Sequence, residues 1–188
     1  MITTNDDGLA KYTRCLRSFG AGGDYSHIIE MGNDWMMTEI NALLGIYQLR
    51  VLENNLARRN EIASRYCQLL ENSEGLKTFA VPPYIRHSYY KLPVMLPPGT
   101  DKKKLIEMMK DQYSIMLGSV YDPPVHLQPV YRMMHGCYPG MFPVAESTLG
   151  RVCCLPVFPQ MTDEMIRYVV DSIEAVLPQT TAKAVEVQ

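Results

Sequence analysis

The sequence predicts an α/β fold in which a compact α/β domain follows a long helix and a loosely specified N-terminal piece. Three observations carry this expectation. A helical pattern runs from Thr38 to about Asn72, strand-like and helix-like runs alternate after Gly75, and the last helix is sharply bounded at Thr162.

Taken in order, residues 1–4 are short and β-prone and are stopped by Asn5-Asp6-Asp7-Gly8. Leu9 to Ser18 has helical character and runs into Phe19-Gly20-Ala21-Gly22-Gly23, whose glycines permit positive φ in a surface loop. They do not form a GxGxxG turn after a strong strand, so no dinucleotide site is expected. Up to about Met31 the chain is poor in core residues.

Thr38 suits an N-cap, with Glu39 in the first turn where the helix dipole favours an acid. Ile40, Leu43, Leu44, Tyr47 and Val51 follow at helical spacing, and Leu56, Ile62, Tyr66, Leu69 and Leu70 resume it. Such a helix is long enough to bridge two domains. Gly45 inside it suggests close packing against another backbone. The apolar residues along it predict association or poor solubility of the chain alone.

Leu76–Val81 and Ser88–Leu96 read as strands separated by Pro82-Pro83, and Pro93 implies an edge position or a bulge. Thr100-Asp101 caps a helix containing Leu105, Ile106, Met108 and Met109, and Ser114–Val120 reads as a further strand. A Pro-rich loop from Tyr121 to Tyr131 leads through an irregular stretch to a short helix at Phe142-Pro143, followed by an extended Val152–Phe158. Thr162, Asp163 and Glu164 open the last helix, which Pro178 is expected to end, leaving a tail from 179 to 188.

With 188 residues, 47% hydrophobic and 20% charged, the composition is that of an ordinary globular chain. The net charge of −2 gives no electrostatic case for nucleic acid or an anionic membrane. Lys102-Lys103-Lys104 and Arg58-Arg59 read as solvated helix faces. Cys15, Cys67, Cys137, Cys153 and Cys154 show no CxxC spacing, and His27, His87, His126 and His135 fall at no zinc-ligand interval. Cys153-Cys154 reads as a pair of buried free thiols. Neither a signal peptide nor a spanning apolar run is seen, so a reduced, cytoplasmic protein is expected.

Six stretches, in order, resemble the DegT/StrS (DegT/DnrJ/EryC1/StrS) sugar aminotransferases. Met1-Ile2-Thr3-Thr4-Asn5-Asp6 resembles the strand and turn after that family's lysine segment. Gly32-Asn33-Asp34-Trp35-Met36-Met37-Thr38-Glu39-Ile40 resembles G-Y-N-Y-R-M-T-E-I at the start of its interdomain helix. His87-Ser88-Tyr89-Tyr90 resembles the first strands of its small domain, and residues 121–131 resemble a Y-x-P-P-x-H-x-Q-P-x-Y loop. Phe142-Pro143-Val144-Ala145-Glu146 and residues 155–162 complete the set.

The resemblance implies the C-terminal part of a fold-type-I, pyridoxal-phosphate (PLP) transferase. Residues 1–37 would be a remnant of the large domain and 38–72 the interdomain helix. Residues 73–178 would be the small α/β domain with a short, mainly antiparallel sheet, and 179–188 a tail. It implies a homodimer moving an amino group from glutamate or glutamine to a keto nucleotide-sugar or a cyclitol, in aminosugar or polysaccharide biosynthesis. The cofactor does the carbanion chemistry and a lysine forms the Schiff base. Lys11, Lys77, Lys91, Lys102, Lys103, Lys104, Lys110 and Lys183 do not occupy that lysine's place, so it is expected upstream of residue 1, and the chain alone is expected to be inactive. A non-catalytic interaction module and one half of a split enzyme are the alternatives.

The resemblance places Asn33 and Asp34 where the family's Asn reaches the partner subunit's PLP phosphate. A carboxylate at Asp34 would repel that phosphate, and Met36 replaces an Arg. The pair could equally only shape the turn before Thr38. His126, with Tyr121 and Gln128, would sit at the substrate or amino-donor mouth, or His126 would be a loop histidine bonded to backbone. His87 is a further substrate candidate, or a strand-entry residue. One of Tyr89 and Tyr90 should pack in the core, and Trp35 should anchor the long helix.

Overall fold

The computed structural model describes residues 2–71, 73 and 75–182. It comprises two compact units, Met1–Leu52 and Glu53–Gln188. Of the expected tail from 179 to 188, residues 179 and 180 belong to the last helix, and 183–188 lie outside the described residues.

In the first unit, α1 (Asp7–Arg17) starts earlier than expected because the Asp6 carboxylate accepts from Leu9 N at 2.9 Å. Ile2–Thr4 form no strand, since no described residue pairs with them and a ladder needs a partner. Isolated antiparallel bridges join Ser18 to Asp34 and Ala21 to Ile28. Two glycines allow this crossing of backbones. A Cβ on Gly32 would stand 2.2 Å from Gly20 N, and one on Gly20 (φ 81°) would stand 1.9 Å from Glu30 O. Close approach is therefore the main reason for glycine here, ahead of conformational freedom.

Helix α2 (Glu39–Leu70) runs for 32 residues, and Thr38 Oγ1 accepts from Asn41 N at 3.3 Å. Its first part belongs to the first unit and leaves Ile40, Leu43, Leu44 and Tyr47 exposed. Gly45 meets no other backbone: nothing lies within 4 Å of a Cβ built on it. Trp35 is exposed too, and its backbone N–H, bonded to Arg17 O at 2.9 Å, is what ties it down.

The second unit packs the rest of α2 through Ile62, Ala63, Tyr66 and Leu70 into a core shared with a three-stranded sheet and two helices. The strands are β1 (Lys77–Thr78), β2 (Leu92–Met95) and β3 (Val152–Leu155), in the order β1-β2-β3, with both pairings antiparallel. Pro93 therefore lies in the central strand, not at an edge. Its partner Cys154 turns its own N–H and C=O away to Gly118, at 2.8 and 2.9 Å. The Pro93 nitrogen thus faces the β1 side, and β1 has already ended at Thr78, so no ladder bond is lost.

Helix α3 (Lys102–Tyr113) is capped by Asp101, whose carboxylate accepts from Lys104 N at 3.0 Å. It packs against α6 (Asp163–Thr180), which Thr162 caps as expected. The expected strand at 114–120 is absent. Ser114 adopts a left-handed conformation that closes α3, and only Gly118 bridges to Cys154. Between them and β3 lie a 3-10 turn (Val125–Leu127), α4 (Pro129–His135) and α5 (Pro143–Arg151). Pro178 does not end α6: it removes one donor, and the helix continues to Thr180 with Thr181 N bonding Leu177 O at 3.0 Å.

Two charge runs depart from the solvated-face reading. Lys102 is buried, because its ammonium finds three acceptors inside the unit. Arg58 is half-buried and donates to Met161 O at 2.6 Å and Pro159 O at 3.4 Å, fastening α2 to the segment before α6. Cys153 and Cys154 are buried free thiols, and burial pushes the Cys153 thiol up to about 12. No described helix is long and apolar enough to cross a membrane.

Candidate functional site

The loop from Tyr121 to Phe142 is organised by one carboxylate. Glu146, in the first turn of α5, accepts from His126 Nε2 at 2.9 Å, Gly140 N at 2.9 Å and Phe142 N at 3.2 Å. The Gly140 N–H is the largest influence, and together with His126 and Phe142 it holds the Glu146 carboxyl below its ordinary value against a smaller desolvation effect. His126 also meets the Phe142 ring edge-on, with centroids 4.9 Å apart. His126 is thus bonded to a side-chain carboxylate, where a backbone partner was the simpler expectation.

Tyr121 and His126 line one cavity of about 450 Å³, together with Val125, Tyr131 and Phe142. Tyr121 is exposed, with φ 44°. Gln128 turns back into its own loop, its Nε2 donating to Pro123 O at 3.2 Å. Asp122 in the same loop pairs with Lys102, which also donates to Leu149 O at 2.8 Å.

His87 is not among the residues lining that cavity. Its Nδ1 accepts from Tyr89 N at 3.0 Å, its ring meets Tyr89 at 4.4 Å, and its carbonyl accepts from Asn60 Nδ2 at 3.0 Å. These bonds close a turn before β2 and accept Tyr89 at φ 41°. Tyr89 packs partly buried against the core while Tyr90 is exposed, as expected of the pair, although neither lies in the strand.

In the first unit Asn33 and Asp34 are both exposed. Asn33 Oδ1 accepts from Asp34 N at 2.8 Å and Asp34 Oδ1 from Met36 N at 3.3 Å, so both acceptors shape the turn leading to α2. The Asn33 amide N–H groups remain available as donors.

Two residues of weight had no role assigned from sequence. Glu146 could have been suspected from an acid in the first turn of a helix opened by Phe142-Pro143. The burial of Lys102 had no sequence signal, since the other two lysines of the run, Lys103 and Lys104, are exposed.

Residues 1–174 match the profile of the DegT/DnrJ/EryC1/StrS aminotransferase family. The chain belongs to this family. It is 34% identical to uncharacterized protein MJ1066 of Methanocaldococcus jannaschii, over 95% of this chain and 50% of that protein. It is 26% identical to the dTDP-4-amino-4,6-dideoxy-D-glucose transaminase of Escherichia coli, over 80% of this chain and 41% of the transaminase. The fold matches the aminotransferase TlmJ of Streptoalloteichus hindustanus with a TM-score of 0.81 at 26% identity, covering 93% of this chain and 46% of TlmJ. The chain thus spans about half the length of the relatives it matches.

Membership of the DegT/DnrJ/EryC1/StrS family implies pyridoxal phosphate as the family's cofactor. The described residues of this chain do not fit it by themselves. The buried lysine, Lys102, has its ammonium committed to Asp122, Leu149 and Val152, and the other described lysines are exposed. Asn33 could donate to a phosphate oxygen, but the Asp34 carboxylate beside it would repel one.

Proposed function

We propose that this chain acts as the C-terminal part of a PLP-dependent sugar aminotransferase and is inactive alone. The reaction moves an amino group from glutamate or glutamine to a keto nucleotide-sugar or a cyclitol. The observation that carries this reading is the match to aminotransferases across residues 1–174, joined to a small domain whose His126 and Tyr121 line one cavity. The reactive lysine comes from polypeptide other than these residues.

The exposed face of α2, with Ile40, Leu43, Leu44 and Tyr47, supports a homodimer in the working protein. Asn33 then faces the partner's cofactor phosphate, with Asp34 as the less favourable neighbour. His126, Tyr121 and Gln128 belong to the substrate mouth, and His87 supports the turn before β2. The free thiols fit a reducing, cytoplasmic setting.

The test begins with incubation of the chain with PLP, removal of free PLP by gel filtration and then borohydride treatment, where no single lysine of the chain should be labelled stoichiometrically. The chain joined to the polypeptide encoded upstream in the same frame should be labelled on an upstream lysine and should aminate a keto dTDP-sugar with glutamate. Stoichiometric labelling of one lysine within these residues after removal of free PLP, or an inert joined protein, overturns the reading. Activity restored only by a separate second polypeptide would instead establish a split enzyme.

A further inference from the structure

Glu146 collects its contacts from a single stretch of chain. Beyond the bonds already given, its Oε2 accepts from Gly140 N at 2.9 Å, so both oxygens are held. An ionised carboxylate has no proton to give, and the His126 nitrogen facing it must therefore carry the hydrogen. This fixes neutral His126 as the Nε2–H tautomer and leaves Nδ1 as an acceptor. The edge-on Phe142 ring restrains the imidazole plane.

No described residue hydrogen-bonds Nδ1. The His126 side chain is only 10% exposed, yet Nδ1 is not among the enclosed unpaired polar atoms, so it keeps access to solvent. His126 lines the cavity shared with Tyr121, Tyr131 and Phe142, whose walls are otherwise largely apolar. An acceptor on an aromatic wall suits a small ligand with one directed donor and an apolar face.

We propose that Glu146 is a positioning residue acting through His126, presenting Nδ1 as the hydrogen-bond acceptor for an O–H or N–H donor of a ligand in this cavity. The aminotransferase reading supplies only the ligand's identity: a hydroxyl of the sugar, or the ammonium of the amino donor.

Nitrogen resonances of the isotope-labelled histidines in the full chain test it. In alkaline buffer, where imidazole is neutral, native His126 should show a protonated Nε2 and an unprotonated Nδ1. In Glu146→Ala the minor Nδ1–H population should rise roughly tenfold, as loss of a charge-assisted hydrogen bond allows. Glu146→Gln, which keeps an amide oxygen as acceptor, should restore most of the preference and covers the case in which the alanine variant does not fold. A dominant Nδ1–H form in the native chain, or populations that do not differ between native and folded variants, overturns the proposal.

Titration with methyl α-D-glucopyranoside and, separately, L-glutamate distinguishes hydroxyl from ammonium. One of them should move the Nδ1 resonance upfield in the native chain and not in Glu146→Ala. If neither does while Nε2–H persists, the ligand role fails and only the tautomer assignment stands. Failure of the aminotransferase reading would appear in lysine labelling and amination, with the tautomer unaffected.

Discussion

Lys102 is held against Asp122 inside the second unit: its ammonium reaches the Asp122 carboxylate and two carbonyls, Leu149 O at 2.8 Å and Val152 O at 3.4 Å. The pair joins the start of α3 to the loop that carries His126. Asp122→Asn leaves a buried ammonium without its counter-charge. The cost should be about 1–3 kcal/mol, below that of a fully enclosed pair because Asp122 keeps 39% of its side chain exposed. Lys102→Met with Asp122→Asn should cost less than the sum of the single changes, measured by urea unfolding.

Two glycines should respond oppositely to alanine. Gly32→Ala drives a Cβ into the Gly20 backbone and should open the bridges between residues 18–21 and 28–34, seen as faster amide exchange there. Gly45→Ala, at an open position in a helix interior, should stabilise by about 0.5–1 kcal/mol on thermal unfolding.

The Cys153 thiol gives a pH dependence of definite sign. Its value rises from 9.0 to about 12 on folding because burial disfavours the thiolate. The folded chain therefore keeps the proton that the unfolded chain loses, and this contribution to stability falls as pH rises from about 9 towards about 12. Native protein at pH 8 should leave Cys153 unmodified by a thiol reagent that reacts with it after denaturation.

Glu146 behaves in the opposite sense. Its carboxyl is depressed below the ordinary 4.5, so its hold on Gly140 and His126 is complete above that value and lost as pH falls below it. Limited proteolysis should find the 121–142 loop protected at neutral pH and cleaved more readily on acidification, while Glu146→Ala should be sensitive at both.

Much of this fold was legible where periodicity and caps agree. Thr38, Asp101 and Thr162 each begin the helix their side chains suggest, and the apolar spacing of α6 and of the second half of α2 follows their buried faces, whereas Ile40, Leu43, Leu44 and Tyr47 are exposed. Strand assignments were less secure, because β-propensity describes a run without its partner: 114–120 is β-prone but contributes only the Gly118 bridge. Pro93 misled for the same reason, since an unpaired side can exist beside a central strand when its neighbour is short. At the candidate site, the loop motif singled out His126 and Tyr121, which line one cavity. The turn-closing bonds of His87 and the burial of Lys102 depend on residues distant in sequence.

The placement of Pro93 has a bearing on solubility. Beyond Thr78 the outer side of β2 has no strand bonded to it, and such a gap can template pairing with another molecule. A proline there offers no N–H to an incoming strand, so the central strand is shielded from intermolecular ladder growth at its weakest point.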